Sequence, residues 1–175
     1  MKNTFVLFLA VNLLILASCT QPTQKPAASD RAAVSKKIHD LFSMNKFEEV
    51  VNLATDNIQV VNHGTGQTFN GKEEFRSFVM GFKTAFPDLV IKHTNVFEDG
   101  NGQVALEFEA EGTHTGPLAS PGGSIPATGK KVKFIVCEIH RVENGKIASI
   151  HNYQDSGSLM RQLGLMPAPG EAPAK

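Results

Sequence analysis

The segment from Lys131 to Asp155 restricts the fold of this chain more than any other, because two alternating runs flank Asn144-Gly145. Asn-Gly between β-rich runs specifies a two-residue hairpin loop in which both residues take positive φ. In the first run Val132, Phe134, Val136, Glu138, His140 and Val142 lie on one face, while Lys131, Lys133 and Arg141 mark the other as solvated. With Asn144 and Gly145 as the whole loop, Val142 lies opposite Ile147, and an unbroken register follows. It pairs His140 with Ser149, Glu138 with His151, Val136 with Tyr153 and Phe134 with Asp155. Ile147, Ser149, His151, Tyr153 and Asp155 are then expected on the buried face. Burying Glu138, His140, His151, Tyr153 and Asp155 is expensive unless they pair with one another or line a cavity. A carboxylate in an apolar cavity beside an imidazole is equipment for general acid/base chemistry, and the competing reading is a satisfied structural network.

The same alternation sets a second buried face at Val104, Leu106, Phe108 and Ala110, opposed to Glu107, Glu109 and Glu111. Carried past Gly112, it turns His114 inward. Upstream the period changes. Val34, Ile38, Leu41 and Phe42 predict a helix capped by Asp30, and Phe47, Val50, Val51 and Ala54 predict a second. Asn57 to Asn62 reads as a strand. Phe75, Phe78, Val79 and Phe82 place a third helix from about Lys72 to Ala85, stopped by Pro87. Helices followed by a β meander define an α+β domain, in which a curved antiparallel sheet encloses a pocket beside the N-terminal helices. With 12 phenylalanines, one tyrosine and no tryptophan, that pocket is expected to be lined by plain rings, Phe108 and Phe134 among them, with His114, Glu138 and Tyr153 as polar lining.

A formal charge of zero offers no footprint for nucleic acid. The six histidines, His39, His63, His93, His114, His140 and His151, form no HxH or HxxxH pair, so no metal centre is expected; one would need ligands from distant segments. Phosphate-binding and nucleophile-elbow motifs are missing from the sequence as well. Cys137, inside the strand run Ile135 to Ile139, reads as a small buried hydrophobe rather than a nucleophile.

The N-terminus reads as an address. Lys2 precedes an apolar run from Phe5 to Ala17 that is short for a membrane span, and Leu16-Ala17-Ser18-Cys19 resembles the bacterial lipobox. Residues 1–18 are thus expected to be a signal peptide and Cys19 the lipid-modified N-terminus. Residues 19–29 would be a flexible tether, 30–166 the domain and 167–175 a proline-bearing tail. This predicts a domain lipid-anchored in the bacterial cell envelope, outside the cytoplasm and most simply in the periplasm. A plain secretory peptide is the alternative.

Several further pieces resemble the SnoaL-like polyketide or ester cyclases of the nuclear-transport-factor-like superfamily. They are Gly71-Lys72-Glu73-Glu74-Phe75, Phe86-Pro87-Asp88-Leu89, Gly112-Thr113-His114-Thr115-Gly116 and Pro126-Ala127-Thr128-Gly129-Lys130, then Ile139 to Ile147, and Asp155 ahead of Leu159 to Gly164. The resemblance implies a cone-shaped α+β fold and a cofactor-free enzyme that closes a ring by intramolecular aldol condensation. It implies Asp155 as acid/base, with His140 or His151 assisting, acting on a small apolar carbonyl compound; His151 stands where many relatives carry Trp. It also implies a possible homodimer, to which Ile135, Cys137 and Ile139 would contribute. A non-catalytic periplasmic module that binds a hydrophobic small molecule is the competing expectation.

Overall fold

The computed structural model describes residues 28–168 and 170, so the expected signal peptide, Cys19 and residues 20–27 of the expected tether fall outside the described residues, while the last two of the tether, Ala28 and Ser29, open the first helix. In chain order the elements are α1 (Ala28–Ser43), α2 (Phe47–Asn52), β1 (Ala54–Asn62), β2 (Gln67–Asn70), α3 (Gly71–Ala85), β3 (Val90–Glu98), β4 (Gln103–Thr113), β5 (Leu118–Ser120), β6 (Gly123–Ile125), β7 (Lys131–Glu143), β8 (Lys146–Gln154) and α4 (Ser156–Leu163). Six strands form one mixed sheet in the order β2-β1-β8-β7-β4-β3, antiparallel throughout except for the parallel β1–β8 pair. The small β5–β6 hairpin stands apart from it. Among the described residues no helix is long and apolar enough to cross a membrane.

The helices follow their apolar stripes. Ile38, Leu41 and Phe42 of α1, Val50 and Val51 of α2, and Phe75 and Val79 of α3 are buried against the sheet. Asp30 lies in the first turn of α1 rather than at its cap, and Ala54, expected on the second helix, opens β1 instead. In β4 the expected face is buried from Val104 to Ala110, and the parity does carry through Gly112 to a fully buried His114. His114 nevertheless packs away from the cavities. Its ring lies 5.1 Å from that of Phe86, and its Nδ1 is 3.2 Å from the Thr128 N–H, which donates to it.

The hairpin departs from the expected register in one place. Asn144 and Gly145 have φ of 49° and 76°, as the loop chemistry requires, and Val142 does pair with Ile147. Between that pair and Arg141–Ser149 the register shifts, leaving Ala148 as the extra residue of a β-bulge. Beyond it His140 pairs with Ile150, Glu138 with Asn152, and Val136 with Gln154. Ile147 and Ile150 are the physical cause. They lie three residues apart, so an unbroken strand would bury one and expose the other; the bulge buries both. His151 and Tyr153 consequently turn to the outer face, where His63 stacks on Tyr153 at 4.2 Å between ring centroids and sits 3.1 Å from His151 Nδ1. The expectation that His151 and Tyr153 share the face of Glu138 is overturned.

Two loops close the cone over α3. Asp88 accepts from the Thr113 N–H and hydroxyl, both at 2.7 Å, and buried Lys83 donates to the Leu89 carbonyl at 2.7 Å. Gly116 lies so close to the end of α3 that a Cβ there would overlap the Thr84 carbonyl oxygen.

Candidate active site

The inner face of the sheet and the three N-terminal helices leave a cavity of about 70 Å³. Its walls are aromatic and aliphatic, with Phe42, Phe75, Phe78, Phe82, Phe108 and Phe134 in the lining. Its polar groups are His39, Glu138, Asn152 and Gln154. A second, wider chamber of about 410 Å³ lies under the β5–β6 hairpin and α4, bordered by Leu118, Pro121, Leu159 and Met160. Phe78, Phe82 and Gln154 line both spaces, so they partition a narrow inner chamber from a broad outer one.

Glu138 organises the inner floor. Its Oε2 lies 2.9 Å from His39 Nε2 and 2.8 Å from His140 Nε2, and its Oε1 accepts from Asn152 Nδ2 at 2.7 Å. α1 delivers His39, β7 delivers Glu138 and His140 at alternate positions, and the bulge in β8 delivers Asn152. All four are buried. An ionised carboxylate survives in such surroundings only if hydrogen-bond donors replace its water. Burial alone pushes the Glu138 carboxyl up, but the hydrogen bonds from His140 and His39 outweigh it and hold it well below the usual carboxylate range. Burial pushes His140 down against the pull of Glu138, which keeps the imidazole neutral.

A neutral imidazole that donates through Nε2 accepts at Nδ1, and on His39 that atom lies 2.9 Å from His93 Nε2, which can supply the proton. His93 is half-buried; burial and the neighbouring His39 push its pKa down to about 4. The rings pack as well, with His39 stacked 5.1 Å from His93 and tilted 4.5 Å from Phe108. Two polar atoms of the cluster, Asn152 Oδ1 and His140 Nδ1, are buried with no partner among the described residues.

Of the residues singled out by sequence, the structure brings Glu138, His140, Phe108 and Phe134 to the inner chamber or directly behind it. Tyr153, His151 and His114 do not line either chamber. Asp155 lies at the N-cap of α4, where its Oδ1 accepts from the Ser158 N–H at 2.8 Å, and it too lines neither chamber. His39 and Asn152 were missed. The signal for Asn152 was the odd spacing of Ile147 and Ile150; His39 carries no signal beyond lying one residue after Ile38 on the buried stripe of its helix. Cys137, expected to be buried, is half-exposed on the outer face, and burial with the charges of Glu107 and Glu138 pushes its thiol up, away from a reactive thiolate.

A family model described as SnoaL-like polyketide cyclase matches residues 32–163, and the chain belongs to that family. Its fold is the nuclear-transport-factor-like cone. A protein of Jannaschia sp. CCS1 described as a SnoaL-like polyketide cyclase superposes with a TM-score of 0.72 at 17% identity, over 83% of this chain and 99% of that one. IdmH of Streptomyces antibioticus, described as a polyketide cyclase, gives 0.64 at 20% identity, over 77% and 98%. An LEH-like epoxide hydrolase of M. tuberculosis gives 0.61 at 17% identity, over 79% and 92%. These likenesses establish the fold alone. No curated protein matches the chain.

Proposed function

We propose that this protein is a SnoaL-like acid/base enzyme whose proton-transferring group is Glu138, acting without a cofactor on a small apolar carbonyl compound. One observation carries the reading: a carboxylate held ionised by three N–H donors forms the floor of a chamber walled mainly by phenylalanine and aliphatic side chains. A proton on carbon next to a carbonyl, brought to Glu138 in that largely apolar chamber, passes to a base that is already charged, and because its three donors lower its basicity the carbon it deprotonates is an activated one. His39 and His140 hold the carboxylate and its charge; Asn152, oriented by Glu138, presents Oδ1 as an acceptor for a hydroxyl or enol. Asp155, as a helix cap outside both chambers, gives up to Glu138 the role expected from resemblance.

The outer chamber fits the apolar remainder of the substrate, which would thread past Phe78 and Phe82. Lipid modification at Cys19 would tether the domain in the cell envelope. The exposed apolar side chains Ile135, Phe97 and Tyr153 on the outer face of the sheet suit a homodimer contact. The test is deuterium exchange at the α-carbon of small cyclic and aryl ketones in D2O, followed by NMR. Catalysed exchange supports the enzyme; saturable ketone binding without exchange makes the protein a binding module.

A further inference from the structure

We propose that His39, Glu138 and His140 form a binding site for one divalent first-row transition-metal ion, such as Zn2+, Fe2+ or Co2+. The three residues come from α1 and β7, with His39 ninety-nine positions before Glu138, which is why no short histidine motif announces them. All are buried, and each offers one ligand atom within 4.8 Å of the other two. Two of the edges, from Glu138 Oε2 to each Nε2, measure 2.9 and 2.8 Å. Ligands about 2.1 Å from an octahedral metal and cis to one another stand about 3.0 Å apart, and tetrahedral ones about 3.4 Å, so these edges suit octahedral coordination nearly as they stand and open by about half an ångström for tetrahedral Zn2+. Two imidazoles and one carboxylate are borderline ligands that favour such ions over Mg2+ or Ca2+, whose preferred ligands are all oxygen.

The surroundings supply what ligands need behind them. His39 Nδ1 sits 2.9 Å from His93 Nε2, and Asn152 Nδ2 holds Glu138 Oε1 at 2.7 Å. On metal binding each imidazole moves its proton from Nε2 to Nδ1. His39 then donates to His93, which turns acceptor, so no proton is lost from the cluster. His39 and Glu138 line the inner chamber, which leaves coordination positions open toward it. His140 Nδ1 is the weak point, since it is buried without a partner. Lacking one outer-shell acceptor costs roughly 10–100-fold in affinity, which sets the expectation at micromolar rather than nanomolar binding. The inference stands apart from the acid/base reading, and the two meet at Glu138 Oε2: a metal there occupies the base.

The experiment titrates the chelator-treated full-length protein with Co2+ and follows the visible d–d bands, then displaces Co2+ with Zn2+. One equivalent is expected, with bands of low-symmetry nitrogen and oxygen coordination and no thiolate charge transfer. His39→Ala and His140→Gln should each weaken binding at least 10-fold, while circular dichroism and melting in chelator verify that each variant is folded. The exposed His63–His151 pair is the internal control. The proposal is overturned if folded His39→Ala and His140→Gln bind Co2+ like the wild type, if His63→Ala removes the binding, or if no binding occurs at millimolar Co2+. Ketone exchange measured with and without bound Zn2+ reads the acid/base function separately: loss of exchange with Zn2+ marks a shared Glu138, and exchange absent in both states counts against the enzyme without touching the metal site.

Discussion

Asn152 faces Glu138 directly across the β7–β8 hairpin, and its carboxamide N–H donates to Glu138 Oε1 at 2.7 Å. The contact exists because the bulge at Ala148 turns Asn152, and not His151, toward the interior. Asn152→Leu keeps the volume and removes the donor, leaving a buried carboxylate oxygen unpaired, and should cost about 1–3 kcal/mol. Asn152→Asp should cost more, because two carboxylates would then share one dry floor. Chemical denaturation of the three proteins checks the order. A Leu variant as stable as the wild type would mean that Glu138 is not held as described.

The bulge also marks where the sequence stopped being legible. Strand alternation and Asn-Gly chemistry placed β4, β7, the loop and the inward faces of Glu138 and His140. They assumed an unbroken register, and a one-residue slip moved every later side chain of β8 to the opposite face. Ile147 and Ile150 held the information, as two β-branched apolar residues of opposite parity. His39 was illegible for another reason: a histidine on a helix stripe becomes part of a site only through contacts with strands 54 and 99 residues away. Of the matched family pieces, Asp88 and Thr113 to Gly116 close loops over α3 and line neither chamber, while Leu89 contributes only to the apolar wall of the inner one.

Asp155 is expected to act on stability. Asp155→Ala should cost about 1 kcal/mol through loss of the α4 cap, and Asp155→Asn, which caps as well, should cost much less. Thermal melts of both variants decide this. Equal losses would point to the charge of Asp155 rather than to its cap.

Gly116→Ala should be strongly destabilising, by about 1–3 kcal/mol, because backbone rather than a movable side chain occupies the space of the new methyl. Gly81 lies in the middle of α3, and the space a Cβ would take there is open. Its substitution by Ala should therefore raise stability, by up to about 1 kcal/mol. Denaturant midpoints moving in the same direction for both would contradict the packing described.

Burial pushes His114 below its ordinary pKa, so the folded state resists a proton that the unfolded chain accepts. Stability from this residue is complete above about pH 6.5, the unfolded value, and is lost progressively as the pH falls below it. His93 and His140 shift in the same direction. The melting temperature should therefore fall between pH 7.5 and pH 5, and His114→Asn, which keeps an acceptor for the Thr128 N–H without a titrating ring, should fall by a few degrees less. An equal fall in both proteins would remove His114 from the account.

The placement of the acid/base at Glu138 is tested most directly by ketone α-carbon deuterium exchange in three proteins side by side: wild type, Glu138→Gln and Asp155→Asn. Gln keeps the shape of the side chain and removes its titrating oxygen. Exchange should fall roughly 100-fold or more in Glu138→Gln and stay within a few-fold of wild type in Asp155→Asn. The reverse outcome, with Glu138→Gln active and Asp155→Asn inactive, would contradict it.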